Sequence, residues 1–322
     1  MTRPPPEYPE GGGILLVDKR SGPTSHDVVG RCRGLLRTRK VGHAGTLDPM
    51  ATGLLVIAVD RCTKLLGHLA LTDKTYTATI RLGITTDTDD AQGSSIAVAD
   101  PGVVPAVTEQ AILAAIAALT GTIQQRPNSV SAIKVDGRRA YDRHRAGEEF
   151  ELPAREVTVR RFELTGPERR LEAPDGRGGT VQVIDLPVEV ECTTGTYVRA
   201  LARDLGAALG TGGHLTALRR TAVGPFSVDG ALDVGGRGED IDEPAATAAA
   251  AAVIPGATAA GLAFVRRIAS GQEALDLSFG RSLTLTGEPG PVAVVDAAER
   301  ILLALVQDAG DRAKPLVVFA AR

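Results

Sequence analysis

The chain has no tryptophan, only three cysteines and an aromatic content of 3% over 322 residues. Cys32, Cys62 and Cys192 are odd in number and widely spaced, which argues against a disulfide framework and against a zinc site. No apolar stretch is long enough to span a membrane, since the Ala-rich run near residue 250 is broken by Thr247 and Pro255. Residues 1–12 carry prolines and glycines but neither a basic n-region nor an apolar h-region, so they read as a disordered tail rather than a signal peptide. A cytoplasmic location is the simplest expectation. Nucleotide signatures are missing too. Gly11-Gly12-Gly13 lacks the trailing Gly-Lys-Ser/Thr of a P-loop, no Gly-x-Gly-x-x-Gly follows a strand, and no paired metal-ligand spacing occurs. A net charge of −3 does not announce a nucleic-acid binder, so any case for RNA must rest on local clusters.

What is present is ordinary for a globular protein: 43% hydrophobic and 23% charged residues, in a length that buries one large core or a core plus a small second domain. Ile14 to Val17 reads as a short strand. Thr24 or Ser25 caps a helix whose apolar positions Val28, Val29, Cys32, Leu35 and Leu36 follow helical spacing. Leu54 to Val59 is a continuous apolar run, as in a buried strand. From Thr75 to Leu82 the pattern alternates, with Tyr76, Ala78, Ile80 and Leu82 on the apolar face. Ile112, Ile116 and Leu119 mark a helix ended by Gly121. Residues 122–152 are polar, basic and without periodicity, and read as an irregular insertion. Strands follow near Glu156 to Leu164 and Val181 to Cys192, then a helix from Val198 to Leu209. This mixture predicts an α+β fold with an antiparallel or mixed sheet flanked by helices.

Composition shifts near residue 229. An acidic run, Glu239 to Glu243, lies in a linker over 231–255, and the Ala-rich segment after the run reads as linker or short helix. Short strands predicted at Ser282 to Thr286, Val292 to Val295, Ile301 to Val306 and Leu316 to Phe319 suit a small β-barrel over 256–322. That leaves residues 13–230 as the catalytic domain.

Positive charge is segregated. Seven cations between Lys19 and Lys40 stand against Asp18 and Asp27, a local charge of +5. Lys134, Arg138, Arg139, Arg143 and Arg145 stand against Asp136 and Asp142, a local charge of +3, and Arg219 and Arg220 add a third patch. One face tracking RNA phosphates explains such segregation, although a charge run is more often a solvated face.

The chemistry centres on Gly42-His43-Ala44-Gly45-Thr46-Leu47-Asp48-Pro49. A carboxylate in a turn tied to a buried strand is well placed to be a fixed nucleophile, while Asp-Pro is also a common turn signal. This block, with Thr52-Gly53-Leu54-Leu55 after it, closely resembles the catalytic motif of the pseudouridine synthases, in the form found in the TruB-type branch that modifies uridine 55 in the T arm of tRNA. Leu15 to Ser25, Lys74-Thr75-Tyr76, Leu82-Gly83 with Thr86, Thr88, Asp90 and Gly93, the stretch Gln125 to Lys134, Gly195 to Arg199, and Leu218-Arg219-Arg220 resemble further blocks of that family, in the same order.

The resemblance implies a pseudouridine synthase fold with a C-terminal PUA-like domain, a cofactor-free and metal-free isomerisation, and tRNA as partner, with the chain a monomer by default. It implies Asp48 as nucleophile, Arg199 as the cation that keeps it ionised, and Tyr76 against the target base. Asp204 on the same helix is an alternative partner for Arg199. Leu218 would close the pocket and His43 would fill the space left by the flipped base. Lys19, Tyr197, Lys134, Arg219 and Arg220 complete the expected substrate contacts. Two departures stand out: Arg20 replaces the family's proline, and Tyr141 to Arg145 differs from its usual wording. The rival readings are a synthase of the same fold acting on ribosomal RNA, and a non-catalytic tRNA-binding chaperone.

Overall fold

A computed structural model describes residues 4, 6–128, 152–236 and 238–319, and the backbone of 134–135 and 138–139. In chain order the elements used below are β1 (Gly13–Lys19), α1 (Ser25–Leu35), β2 (Val41–His43), β3 (Thr52–Val59), β4 (Lys74–Leu82), α2 (Glu109–Ala118) and β5 (Gly121–Gln125). Then come β6 (Arg155–Leu164), β7 (Thr180–Cys192), α3 (Val198–Ala208) and β8 (Gly213–Val223). The C-terminal part holds β9 (Val265–Ile268), α4 (Gly271–Ser278), β10 (Val292–Val295), β11 (Leu302–Ala309) and β12 (Arg312–Val318). The chain divides into two compact units, 1–72 with 222–322, and 73–221.

In the first unit β3 is apolar from Leu54 to Val59 because both of its faces are covered. Leu54, Val56 and Ala58 face a core shared with Ile14, Leu69, Val295, Leu305 and Phe319. Leu55, Ile57 and Val59 face Leu15 and Val17, with Val28, Val29, Cys32 and Leu35 of α1. β1 pairs antiparallel with β3, Leu15 opposite Ile57, and β2 pairs with β3, His43 also opposite Ile57. Thr24 caps α1 through a capping box with Asp27, as its spacing predicts. The C-terminal segment forms a four-stranded sheet in the order β9-β10-β11-β12. All four residues of β10 are buried: Ala293 and Val295 enter the β3 core, and Val292 and Val294 pack with Leu277 and Leu283. C-terminal residues are therefore part of the core that supports β3.

The second unit is built on strands in the order β8-β4-β7-β6-β5, with Arg169–Pro174 added on β7, and carries a separate two-stranded sheet of Ile84–Thr86 and Ser95–Val98. β4 and β7 pair along their length, from Cys192 opposite Lys74 to Ile184 opposite Leu82. Tyr76, Ala78, Ile80 and Leu82 are buried, on the face their alternation assigns to the core.

Some expectations need correction. Residues 121–125 are not part of an irregular insertion; they form β5, paired with Arg155 to Val159 of β6. Backbone pairing, not apolar periodicity, holds this polar strand. Ser282 to Thr286 is not a strand, and Leu283 makes one isolated bridge to Ala313. Conversely, β9 and α4 carry no counterpart among the elements the sequence suggested.

Candidate active site

Asp48 sits half-buried in the loop between β2 and β3, and the backbone of that loop is locked from behind. The Lys19 ammonium, 1% exposed at the end of β1, donates to the carbonyls of Ala51 (2.6 Å), Arg20 (2.9 Å) and Pro49 (3.1 Å). Ser25 brackets the other side, its Oγ donating to Leu47 O (3.1 Å) and accepting from Leu47 N–H (2.8 Å). Gly22 N–H reaches Pro49 O at 2.8 Å, and Ala51 N–H closes the turn onto Asp48 O at 3.1 Å. Gly45 and Gly53 bend the chain at φ values of +95° and +97°, a region that side chains disfavour. His43 is the last residue of β2 rather than a member of the same turn as Asp48, and is half-buried.

The second unit assembles the other expected residues. Tyr76 on β4 is 8% exposed, and Leu218 on the adjacent strand β8 is 7% exposed. Arg199 is the second residue of α3, which packs against β4, and is 4% exposed. Its Nη1 donates to Thr88 O at 2.7 Å, and its Nε lies 3.7 Å from Asp90 Oδ2. Asp90 is itself oriented, its Oδ1 accepting from Thr88 Oγ1 (2.7 Å) and Gln92 N–H (3.0 Å). Asp204 is instead a partner of Arg203, at 2.8 Å. Arg203 also meets Asp89 Oδ2 at 3.2 Å. Burial pushes the Asp89 carboxyl above the usual aspartate range, against the pull of Asn128, Arg203 and Arg199. Tyr197 is half-buried at the start of α3, with its backbone hydrogen-bonded to the Gln125 amide.

Several cations assigned to RNA are used otherwise. Lys19 faces inward as a brace, where the sequence reading has a substrate contact. Arg220 is 1% exposed, so the third basic patch keeps only half-buried Arg219 at its edge. Arg220 and burial together lower the neighbouring Lys74 to about 8. In the first cluster, Arg20 pairs with Asp233 (2.7 Å) and Glu239 (2.9 Å), and Arg37 pairs with Glu243 (2.6 Å). Arg31 donates to the carbonyls of Val234, Glu239 and Asp240. The acidic run called a linker is thus strapped along α1, leaving Arg33, Arg39 and Lys40 exposed. Lys134 and Val135 pair with Arg138 and Arg139 as a backbone ladder. Their side chains, and Tyr141 to Arg145, lie outside the described residues.

Ser25, Asp89, Arg203 and Gln125 were not singled out as site residues from the sequence. For Asp89 a signal existed in the Thr86-to-Gly93 block; for Gln125 the signal was the block it opens. Among the described residues no group of three or more His, Cys, Asp or Glu could hold a metal ion. The three cysteines are free and buried, and burial raises Cys32 and Cys62 to about 12 and Cys192 to about 11, so none offers a thiolate. The available chemistry is a carboxylate on a fixed loop in one unit, and a buried tyrosine with an immobilised guanidinium in the other.

Comparison with known proteins bears on what this chemistry serves. The family model described as TruB family pseudouridylate synthase, N-terminal domain, matches residues 33–198. Models described as tRNA pseudouridylate synthase B C-terminal domain and tRNA pseudouridine synthase II, C-terminal, match residues 199–234 and 264–320. A Rhodococcus jostii protein named tRNA pseudouridine synthase B is 54% identical over 315 residues, covering 96% of this chain and 94% of its own length. Its namesake from Nocardia farcinica is 51% identical over 317 residues, covering 97% and 94%. A chain of the archaeal box H/ACA sRNP Nop10-Cbf5 complex shares the fold at 24% identity, with a TM-score of 0.65 over 99% of this chain and 93% of its own.

Proposed function

The chain belongs to the TruB family of pseudouridylate synthases, and we infer that it isomerises uridine in tRNA to pseudouridine, at position 55 of the T arm. The reaction breaks the N1–C1′ bond, turns the uracil, joins C5 to C1′ and releases the C5 proton. It is redox-neutral and transfers no phosphate. Its needs are a nucleophile, a grip on the detached base and a final proton acceptor.

Asp48 is the nucleophile in this reading. The observation that carries it is the brace behind its loop: Lys19 and Ser25 fix the backbone on both sides of one half-buried carboxylate. Bracing of this kind suits a group that must meet a flipped base within a few tenths of an ångström. Arg199 is the cationic partner of Asp48 in this reading, and the anchoring of its guanidinium by Thr88 and Asp90 supports that role by fixing its plane. Tyr76 stacks on the uracil and its hydroxyl assists removal of the C5 proton, with Leu218 on the other side of the base and His43 taking the vacated space in the T arm. Tyr197, Lys134 and Arg219 contact the RNA. The enzyme works as a monomer in the cytoplasm, and residues 256–322 form a PUA-like module that adds RNA contacts.

The test is tritium release from tRNA carrying 5-tritiated uridine. Asp48→Asn abolishes release while tRNA still binds. Turnover retained by that variant would remove Asp48 from the mechanism, and release lost only together with tRNA binding would point to a non-catalytic RNA-binding role.

A further inference from the structure

The last residue of β5 is polar, fully buried and spent on a single target. Gln125 is 0% exposed, and its amide grips both backbone groups of Tyr197. Tyr197 N–H donates to Oε1 at 2.8 Å, and Nε2 donates to Tyr197 O at 3.1 Å. Tyr197 is the N-cap of α3, where it makes no side-chain cap of its own. Helix entry normally depends on a Ser, Thr, Asp or Asn oxygen at that point. Here a glutamine from a different strand fixes the entry angle, two residues before Arg199.

The residues that follow tie down the opposite support of Arg199. Arg126 O accepts from Arg203 Nη2 at 2.8 Å, and Asn128 Nδ2 donates to Asp87 O at 3.3 Å. Asn128 also hydrogen-bonds the Asp89 carboxylate, which Arg203 meets from α3. The stretch 125–128 therefore holds the two elements that hold Arg199: the start of α3, and the 87–90 loop whose Thr88 O and Asp90 receive the guanidinium.

We propose that Gln125 is a positioning residue for the isomerisation, setting the plane of the Arg199 guanidinium through the Tyr197 cap. The inference rests on the reading of Arg199 as the partner of Asp48. A leucine at 125 keeps the volume and removes both hydrogen bonds, freeing the first turn of α3 to rotate. Small rotations there matter because misplacement by about 1 Å costs on the order of 10²-fold in rate. A glutamate at 125 keeps the acceptor for Tyr197 N–H. When neutral it also supplies an O–H donor to Tyr197 O, and burial raises its pKa into the assay range.

The experiment is single-turnover tritium release by the full-length chain with excess enzyme, beside tRNA affinity and thermal melting. Gln125→Leu lowers the rate on the order of 10²-fold while tRNA affinity stays near that of the parent. Gln125→Glu is as slow at pH 8.5 and recovers most of the parent rate at pH 6, a profile that loss of stability alone does not produce. Combining Gln125→Leu with Arg199→Lys adds nothing to Arg199→Lys alone. The proposal is overturned if Gln125→Leu turns over like the parent, if its loss lies entirely in affinity, or if Gln125→Glu shows no recovery at low pH. If Arg199→Lys is itself near the parent rate, the reading of Arg199 fails and takes the proposal with it. An impaired Arg199→Lys beside a normal Gln125→Leu sinks the proposal alone.

Discussion

Arg20, with the half-buried Arg31 and Arg37, meets the carboxylates and carbonyls of segment 233–243, whereas Arg199 and the half-buried Arg203 meet the buried carboxylates of Asp90 and Asp89 in the other unit. In the sequence both groups are arginines near acids. The side chains of Arg20 and Asp233 are 52% and 47% exposed, those of Arg199 and Asp90 are 5% and 6%. Water screens the first pair and gives each ion an alternative partner; it does neither for the second. The arginines whose partners are exposed hold a strap to a helix, and those whose partners are buried hold geometry. Local charge density therefore says how many cations there are, and burial says what they do.

The comparison predicts its largest effect at Arg199. Arg199→Lys keeps the charge but loses the planar fork that reaches Thr88 O and Asp90 together. An ammonium cannot make both contacts in one plane, so turnover falls by about 10²-fold or more while tRNA affinity changes little. Tritium release under single-turnover conditions measures it. A near-normal rate would mean that charge alone is required, as at the surface.

Arg203→Met comes next, and its effect is on stability. It removes the paired cation from Asp89, whose side chain is 4% exposed, at a cost of about 3 kcal/mol, the low end for a buried pair because Arg203 is itself 27% exposed and Arg199 still acts on Asp89. The pH dependence has a definite sign. Burial already holds the Asp89 pKa above its unfolded value, and Arg203 is among the groups pulling it down. Without Arg203 the folded carboxyl binds its proton at still higher pH, and a carboxyl with a raised folded pKa loses its stabilising contribution as pH rises through that value. The deficit of the variant is therefore larger at pH 8 than at pH 5. Urea midpoints at the two values check this, and a deficit that grows on acidification would contradict the assignment.

How much of this could be read beforehand follows from the same distinction. β3 was legible because an apolar run covered on both faces has one explanation, and Tyr76 because period-two alternation assigns its face. The loop of Asp48 was legible from its Gly-rich turn signal, and the capping box at Thr24 from local spacing. β5 was not, since Gly-Thr-Ile-Gln-Gln has too few apolar residues to mark a strand and owes its state to pairing with β6. β9, Val-Arg-Arg-Ile, fails for the same reason. α4 carried a readable signal in Ser270 and Glu273, a capping box that the weak helical pattern after it obscured. Lys19 was misassigned because nothing near it in sequence indicates that its donors meet carbonyls of residues 49 and 51. Long-range polar satisfaction is the part of a site that sequence spacing reports least.

The smallest predicted effect lies at Arg20, and it tests the surface half of the comparison. Arg20→Ala removes the pairs to Asp233 and Glu239 and shifts the urea midpoint least of the three, because both partners keep access to water. In a cycle with Asp233→Asn, a small coupling is measurable at low ionic strength and vanishes in 0.5 M salt, where the screening length is shorter than at physiological strength. Ile241 reinforces the strap without charge, its side chain lying over Gly34 of α1. That apolar contact is insensitive to salt, so the strap itself survives even when the ionic coupling is gone. A coupling that persisted undiminished in high salt would match a buried network rather than an exposed pair, and the distinction drawn between the two arginine groups would then rest on something other than access to water.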